Sequence, residues 1–260
     1  MIKNSPFWRS MYTAWELACD QALPRFCRPE AASEKQEFVF NPLYGTVIWA
    51  AAGGLIMLVL NRILNSLLPV NGAALLFALI AVLASEIRTG WRGLALSVTF
   101  FENISGGKTF CNAIALRQDT LKNLTGVVPL LLTIFALLGK FSAVFLTARA
   151  GFAGVISAAW IAALAAEAIL AAEPAALGIP GFCHHARSEY VVALAGFFLL
   201  FNLVSLPLAT LVALGVSAFL TILLLNLFLR RCGKIDSNDM TMSGYLLELA
   251  VLAVFALLTC

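Results

Sequence analysis

The chain has 260 residues, 61% of them hydrophobic and 12% charged, and a mean hydropathy of +0.92. That balance excludes an ordinary soluble domain and identifies an integral membrane protein. The net charge of +3 suits contact with an anionic membrane surface and gives no support to a nucleic-acid role.

Residues 1–40 mix Lys and Arg with Glu16, Asp20, Glu30, Glu34 and Glu37 and have no apolar core ahead of a small-residue cleavage site. They are expected to form a cytoplasmic segment, not a secretory signal. Within it, Trp8, Tyr12 and Trp15 recur at helical spacing, so Met11–Ala18 is expected to lie in the headgroup layer.

A membrane helix needs roughly 20 apolar residues. Runs near 45–64, 73–88, 127–146, 150–172, 190–206, 209–229 and 244–258 meet or approach that length. Pro207 separates the fifth from the sixth, because proline removes a helical hydrogen bond and clashes with the preceding turn. The expected fold is all-α, a single polytopic helical bundle of about seven spans over residues 1–260.

Between the second and third runs lies the longest charged interruption, Ser85–Gly126, with Glu86, Arg88, Arg92, Glu102, Lys108, Arg117, Asp119 and Lys122. The stretch Tyr190–Leu229, by contrast, has no charged residue. The window is therefore expected to be a polar cytoplasmic loop and the place for water-soluble chemistry.

Basic residues concentrate on the cytoplasmic side. With the N-terminus inside, only Arg62, Lys140 and Arg149 of the seventeen basic residues fall on the other side or in the membrane. The same topology, that of a bacterial inner-membrane protein, puts Cys19, Cys27, Cys111, Cys183 and Cys232 in a reducing compartment. A disulfide framework is not expected there.

Several motifs have ordinary explanations. Gly106-Gly107-Lys108-Thr109 ends like a phosphate loop, but Glu102 stands where that motif needs its first glycine. Cys183-His184-His185 gathers three ligand residues at adjacent positions with no fourth at a standard spacing, which fits a solvated, mildly pH-responsive loop better than a metal site. The sequons at Asn103 and Asn123 fall inside.

Glu167 and Lys140 are ionisable residues within expected spans, which makes each a functional candidate. Both lie within a few residues of a span end, where Lys snorkels and Glu reaches headgroup water, so a structural role is the readier account. Glu86, Glu102 and Asp119 in the window, with Asp236, Asp239 and Glu248 around the last span, are the carboxylates available to a cytoplasmic site. Mg²⁺ takes hard oxygen ligands of this kind, and Asp119 with Asp236 and Asp239 lies near the same membrane surface.

The order of features resembles cobalamin synthase, the adenosylcobinamide-GDP ribazoletransferase family, along nearly the whole chain. Phe40-Asn41-Pro42-Leu43-Tyr44-Gly45 is similar to that family's Phe-Pro-Leu-x-Gly before its first span. Gly90-Trp91-Arg92-Gly93-Leu94-Ala95-Leu96 aligns with His-Leu-Asp-Gly-Leu-Ala-Asp, and Leu116-Arg117-Gln118-Asp119-Thr120 with Met-Lys-Asp-Ser-Arg. Arg149 matches an arginine at the next span. Gly233 to Glu248 resembles the Gly-Gly-x-Thr-Gly-Asp-x-Leu-Gly…Glu stretch.

The resemblance implies a Mg²⁺-dependent transfer of phosphocobinamide from adenosylcobinamide-GDP to α-ribazole or its 5′-phosphate, with release of GMP. It implies catalytic roles for Asp119, Asp239 and Glu248, metal ligation by Asp119, Asp236 and Asp239, and phosphate binding by Arg92, Arg149 and Lys122. The signature histidine is Gly90 here, however, and the two acidic positions are Arg92 and Leu96; Arg carries the wrong sign for a metal ligand and Leu has no donor. An alternative is thus a non-catalytic paralogue acting as a membrane partner or assembly subunit, alone or as a homo-oligomer. A small-molecule transporter using Glu167 and Lys140 is the third, though no repeated half of the chain supports it.

Overall fold

The computed structural model describes residues 5–19, 42–107, 127–171, 173 and 207–259. Within these residues the long apolar runs fold as helices, because a backbone without water must bond to itself. Eight α-helices follow in chain order among the described residues: α1 Pro6–Cys19, α2 Pro42–Leu67, α3 Val70–Arg88, α4 Arg92–Ser105, α5 Val127–Arg149, α6 Val155–Ala171, α7 Pro207–Leu227 and α8 Ser237–Thr259. A π-helical turn, Phe228–Cys232, extends α7.

Five of them, α2, α3, α5, α7 and α8, carry stretches long and apolar enough to cross a membrane. The chain is a helical, multi-pass membrane protein. Their outward faces are apolar, with Leu55, Val59, Leu130, Phe135, Leu208 and Phe219 all exposed. Such a surface suits acyl chains and would not suit water.

Of the seven expected spans, these five are found among the described residues. The expected run 190–206 lies outside them. The run expected over 150–172 is a helix of 17 residues, α6, with 14 of them buried. Alanine occupies so much of α6 that neighbouring helices close around it on all sides, which makes it the interior of the bundle. It packs chiefly on α8 and α2.

The polar window is helical where it is described, not a loop. Ser85–Arg88 finishes α3, and α4 follows with Leu94, Leu96, Val98 and Phe100 buried. These apolar residues turn the charged segment into an amphipathic helix that packs against α8 and α5. The break between α3 and α4 is a Schellman-type stop: Trp91 N–H donates to Glu86 O at 2.9 Å and Gly90 N–H to Ile87 O at 3.1 Å. Gly90 has φ +57° and Trp91 φ +64°. Glycine takes that left-handed conformation without strain, whereas tryptophan does so at a cost.

Helix α1 is docked on α2. Trp15 meets Trp49 edge to face with centroids 4.8 Å apart, and the Trp49 indole N–H donates to Met11 O at 3.1 Å. Tyr12 and Ala14 are buried. The aromatic spacing evident in the sequence thus serves protein packing.

One contact tests the packing of α2 on α6. A Cβ on Gly54 would overlap the Ser157 side chain and stand 3.2 Å from the Ser157 Cα. Small residues let membrane helices approach this closely. Gly54→Ala is expected to lower the midpoint of SDS-induced unfolding in lipid micelles, and Ser157→Gly in the same chain to restore part of it.

Candidate functional site

The last turn of α3 places Ser85, Glu86 and Arg88 against the middle of α5, α6 and α8. Lys140 of α5 is 1% exposed. Its Nζ donates to Ser85 Oγ at 2.6 Å and to Glu86 Oε1 at 2.8 Å, and lies 2.9 Å from Glu248 Oε1. The ammonium also sits 4.9 Å from the centroid of the Tyr245 ring. Three acceptors match the three protons of an ammonium, so the charge is fully answered.

Glu248 is the second hub. Its Oε1 accepts from the Ser85 hydroxyl at 2.5 Å and from the Trp160 indole N–H at 3.2 Å. Its Oε2 faces Arg88 at 3.4 Å. Two cations and two carboxylates therefore balance inside the bundle. Ion pairs survive burial only when this well compensated, since each lone charge costs several kcal/mol.

Two buried polar atoms of the centre, Glu86 Oε2 and the Tyr245 hydroxyl, lack a well-formed hydrogen bond. The Tyr245 hydroxyl interacts with the Glu86 carboxylate, so the two groups answer each other within the buried network.

A separate polar feature caps α8. Asp239 N–H donates to Asp236 Oδ1 at 2.9 Å, and Asp236 N–H to Asp239 Oδ2 at 2.8 Å. This reciprocal capping box also puts two carboxylates at the positive end of a helix dipole. Arg92 at the start of α4 donates to Asn238 Oδ1 at 2.5 Å. The contact ties the Gly90–Leu96 segment to the start of α8. Gly93, next to Arg92, lies against Tyr245, whose Cβ would be 3.0 Å from a Cβ added there.

The expected site residues therefore divide. Asp236, Asp239 and Arg92 share the α4/α8 end. Glu248 lies nine residues further along α8 than Asp239, roughly 13 Å by helical rise, in the ion-pair network and apart from the Asp236/Asp239 pair, of which Asp239 is itself buried. Arg149 is at the exposed end of α5. Asp119 and Lys122 lie outside the described residues. Among the described residues no three of His, Cys, Asp and Glu converge as a metal group.

Two expectations require correction. Lys140 does not snorkel; a longer α5 puts it near the helix middle, where Glu86 and Glu248 supply the charge that water would. Cys232, in the turn after α7, is disulfide-bonded, although the topology argument places it on a reduced face. Glu167, the other intramembrane candidate, has its carboxylate where a Cβ on Gly244 would stand, so it packs on α8.

Sequence reasoning missed Trp160 and Tyr245 altogether. A signal existed for the second: Tyr245 and Glu248 are spaced i, i+3 and so share a helix face. Trp160, alone in an alanine-rich helix, had none. No family model, curated protein or solved structure matches this chain.

Lys140→Met would leave two carboxylates buried without their common partner. It is expected to cost about 3–5 kcal/mol of stability, measured by unfolding in mixed micelles. Glu86→Gln added to it should recover part of the loss, since it removes one of the stranded charges.

Proposed function

We propose that the chain is a cobalamin-synthase-like membrane transferase that joins adenosylcobinamide-GDP to α-ribazole or its 5′-phosphate and releases GMP. The observation that carries the reading is spatial. The segments Gly90–Leu96 and Gly233–Glu248, distant in sequence, meet through Arg92 and Asn238 at 2.5 Å and through Gly93 against Tyr245. A bacterial inner membrane with the N-terminus in the cytoplasm would put that end of the bundle where a nucleotide-linked substrate arrives.

Mg²⁺ usually takes one or two protein carboxylates and completes its shell with water and substrate phosphate oxygens. Asp236 and Asp239, side by side at the start of α8, fit that share, and the family resemblance adds Asp119. Bound there, the ion would offset pyrophosphate charge. Arg92, half-buried beside Asn238, would hold a phosphate oxygen as a permanent cation. Reaction forms a bond from a free ribose hydroxyl oxygen of the ribazole to the cobinamide-bearing phosphorus and breaks that phosphorus's bond to the bridging oxygen, which leaves with GMP. Asp239 would take the proton of the attacking hydroxyl. Glu248 would act at a distance, by holding α8 to α3 and α5.

A second reading has its own support. Leu96, at a family acidic position, is fully buried with Phe100, Leu170 and Phe228, and Arg92, at the other, is engaged with α8. Both positions serve packing, as a non-catalytic partner subunit would need.

One assay decides between them. Purified protein in lipid nanodiscs is given adenosylcobinamide-GDP, α-ribazole and Mg²⁺, and GMP is followed by chromatography. Turnover that falls at least about a hundredfold in Asp239→Asn is the expected result; a loss of that size corresponds to about 2.7 kcal/mol of transition-state stabilisation. No turnover from protein that remains folded and monodisperse would remove the transferase reading and leave the partner subunit.

A further inference from the structure

A cavity of about 400 Å³ lies beside the ion-pair network, between α1, α2, α3 and α6. That volume falls within the roughly 300–1,000 Å³ of small-molecule sites. Its walls are apolar, with Trp15, Trp49 and Trp160 among them, and Arg88 is the one charged residue in the lining among the described residues. Ile56 and Ile87 also line it and are 67% and 52% exposed. They sit on the outward faces of two apolar helices long enough to cross a membrane, the surface that acyl chains would cover.

Arg88 is the last residue of the α3 span, and the apolar walls of the cavity surround its guanidinium side. Its contact with Glu248, at 3.4 Å, is longer than those Ser85, Lys140 and Trp160 make to the same carboxylate, which run from 2.5 to 3.2 Å. A guanidinium presents five N–H groups in a fork that matches a carboxylate or a phosphate. An anion arriving from the cavity therefore competes with Glu248 at its weakest contact. The space suits a long apolar body with one negative end.

We propose that this cavity binds a single-chain anionic amphiphile drawn from the surrounding bilayer, its headgroup on Arg88 and its chain between the tryptophans. The site is distinct from the Arg92/Asp239 end of the bundle and does not depend on the transferase reading. A carboxylate or a phosphate monoester serves equally as the head, because guanidinium forms paired hydrogen bonds to either. Occupancy draws Arg88 from Glu248 and so loosens the tie between α3 and α8.

Three of the chain's five tryptophans line the cavity, and they report on it directly. Purified protein in nanodiscs of zwitterionic lipid is titrated with a bromine-labelled fatty acid, a bromine-labelled lysophosphatidate and a bromine-labelled fatty alcohol, and tryptophan quenching is followed. Both anions are expected to quench saturably, the alcohol only in proportion to its partitioning. Arg88→Gln should weaken apparent affinity at least about tenfold, whereas Arg88→Lys should keep most of it. Because Arg88→Gln also removes a partner of Glu248, Ala50→Phe provides a second variant, which fills the cavity and leaves the charges in place. It should abolish saturable quenching. Saturation by only one anion would support the site and assign its headgroup. Equal quenching by alcohol and anions, or saturation unchanged in folded Ala50→Phe, would overturn the proposal.

Discussion

The charge on Lys140 sets the terms for the rest of the bundle. An ammonium near the middle of a membrane helix cannot stay there without anions at the same depth. Glu86 from α3 and Glu248 from α8 meet that need, and they arrive at 2.8 and 2.9 Å from one nitrogen. The requirement fixes how far α3, α5 and α8 slide along one another. Trp160 then anchors α6 to the same Glu248 carboxylate. Apolar contacts alone would not fix the register, because lipid tails compete for them on nearly equal terms.

Close approach does the rest of the positioning. Gly54 lets α2 reach Ser157 of α6, Gly93 lets α4 lie on Tyr245 of α8, and Gly244 makes room for Glu167 of α6. Each glycine is paired with a side chain that fills the space left by its missing Cβ. The Gly93 contact also sets the distance at which Arg92 meets Asn238. The capping box at Asp236 and Asp239 holds the start of α8 at that meeting point. The two polar centres are thus the two ends of one rigid piece of α8.

Composition and the apolar runs make the helical membrane class legible, since hydrogen-bond satisfaction in lipid leaves few alternatives. Helix limits are harder. Ser85 and Glu86 read as the beginning of a loop because they are polar, yet they complete α3, and what keeps them helical is Lys140, fifty-five residues beyond Ser85. Long-range pairing of this kind leaves no local pattern. Leu94, Leu96, Val98 and Phe100 do carry a helical pattern, but the charges around them conceal it. Alanine-rich α6 looks like a span by hydropathy, while its small side chains in fact bury it among its neighbours. Asp236, Asp239 and Arg92, the candidates drawn from the resemblance, lie together at the α4/α8 end. The ion-pair network is not legible in the sequence, because the distance of Lys140 from a span end says nothing of the carboxylates that α3 and α8 bring to it.

Arg88 connects what lies outside the bundle to what lies within it. Its guanidinium lines the lipid-facing cavity and also faces Glu248, whose other oxygen is shared by Ser85, Trp160 and Lys140. A ligand that pulls on Arg88 therefore acts on the carboxylate that holds α8 in register. By linkage the effect runs both ways: whatever tightens Arg88 onto Glu248 weakens the cavity's hold on an anion by the same free energy. Since α8 begins at the Asp236/Asp239 cap, a change in its register at Glu248 is felt at Asn238 and Arg92. The membrane face and the polar end of this protein are in that sense one mechanical unit, joined through a single buried carboxylate.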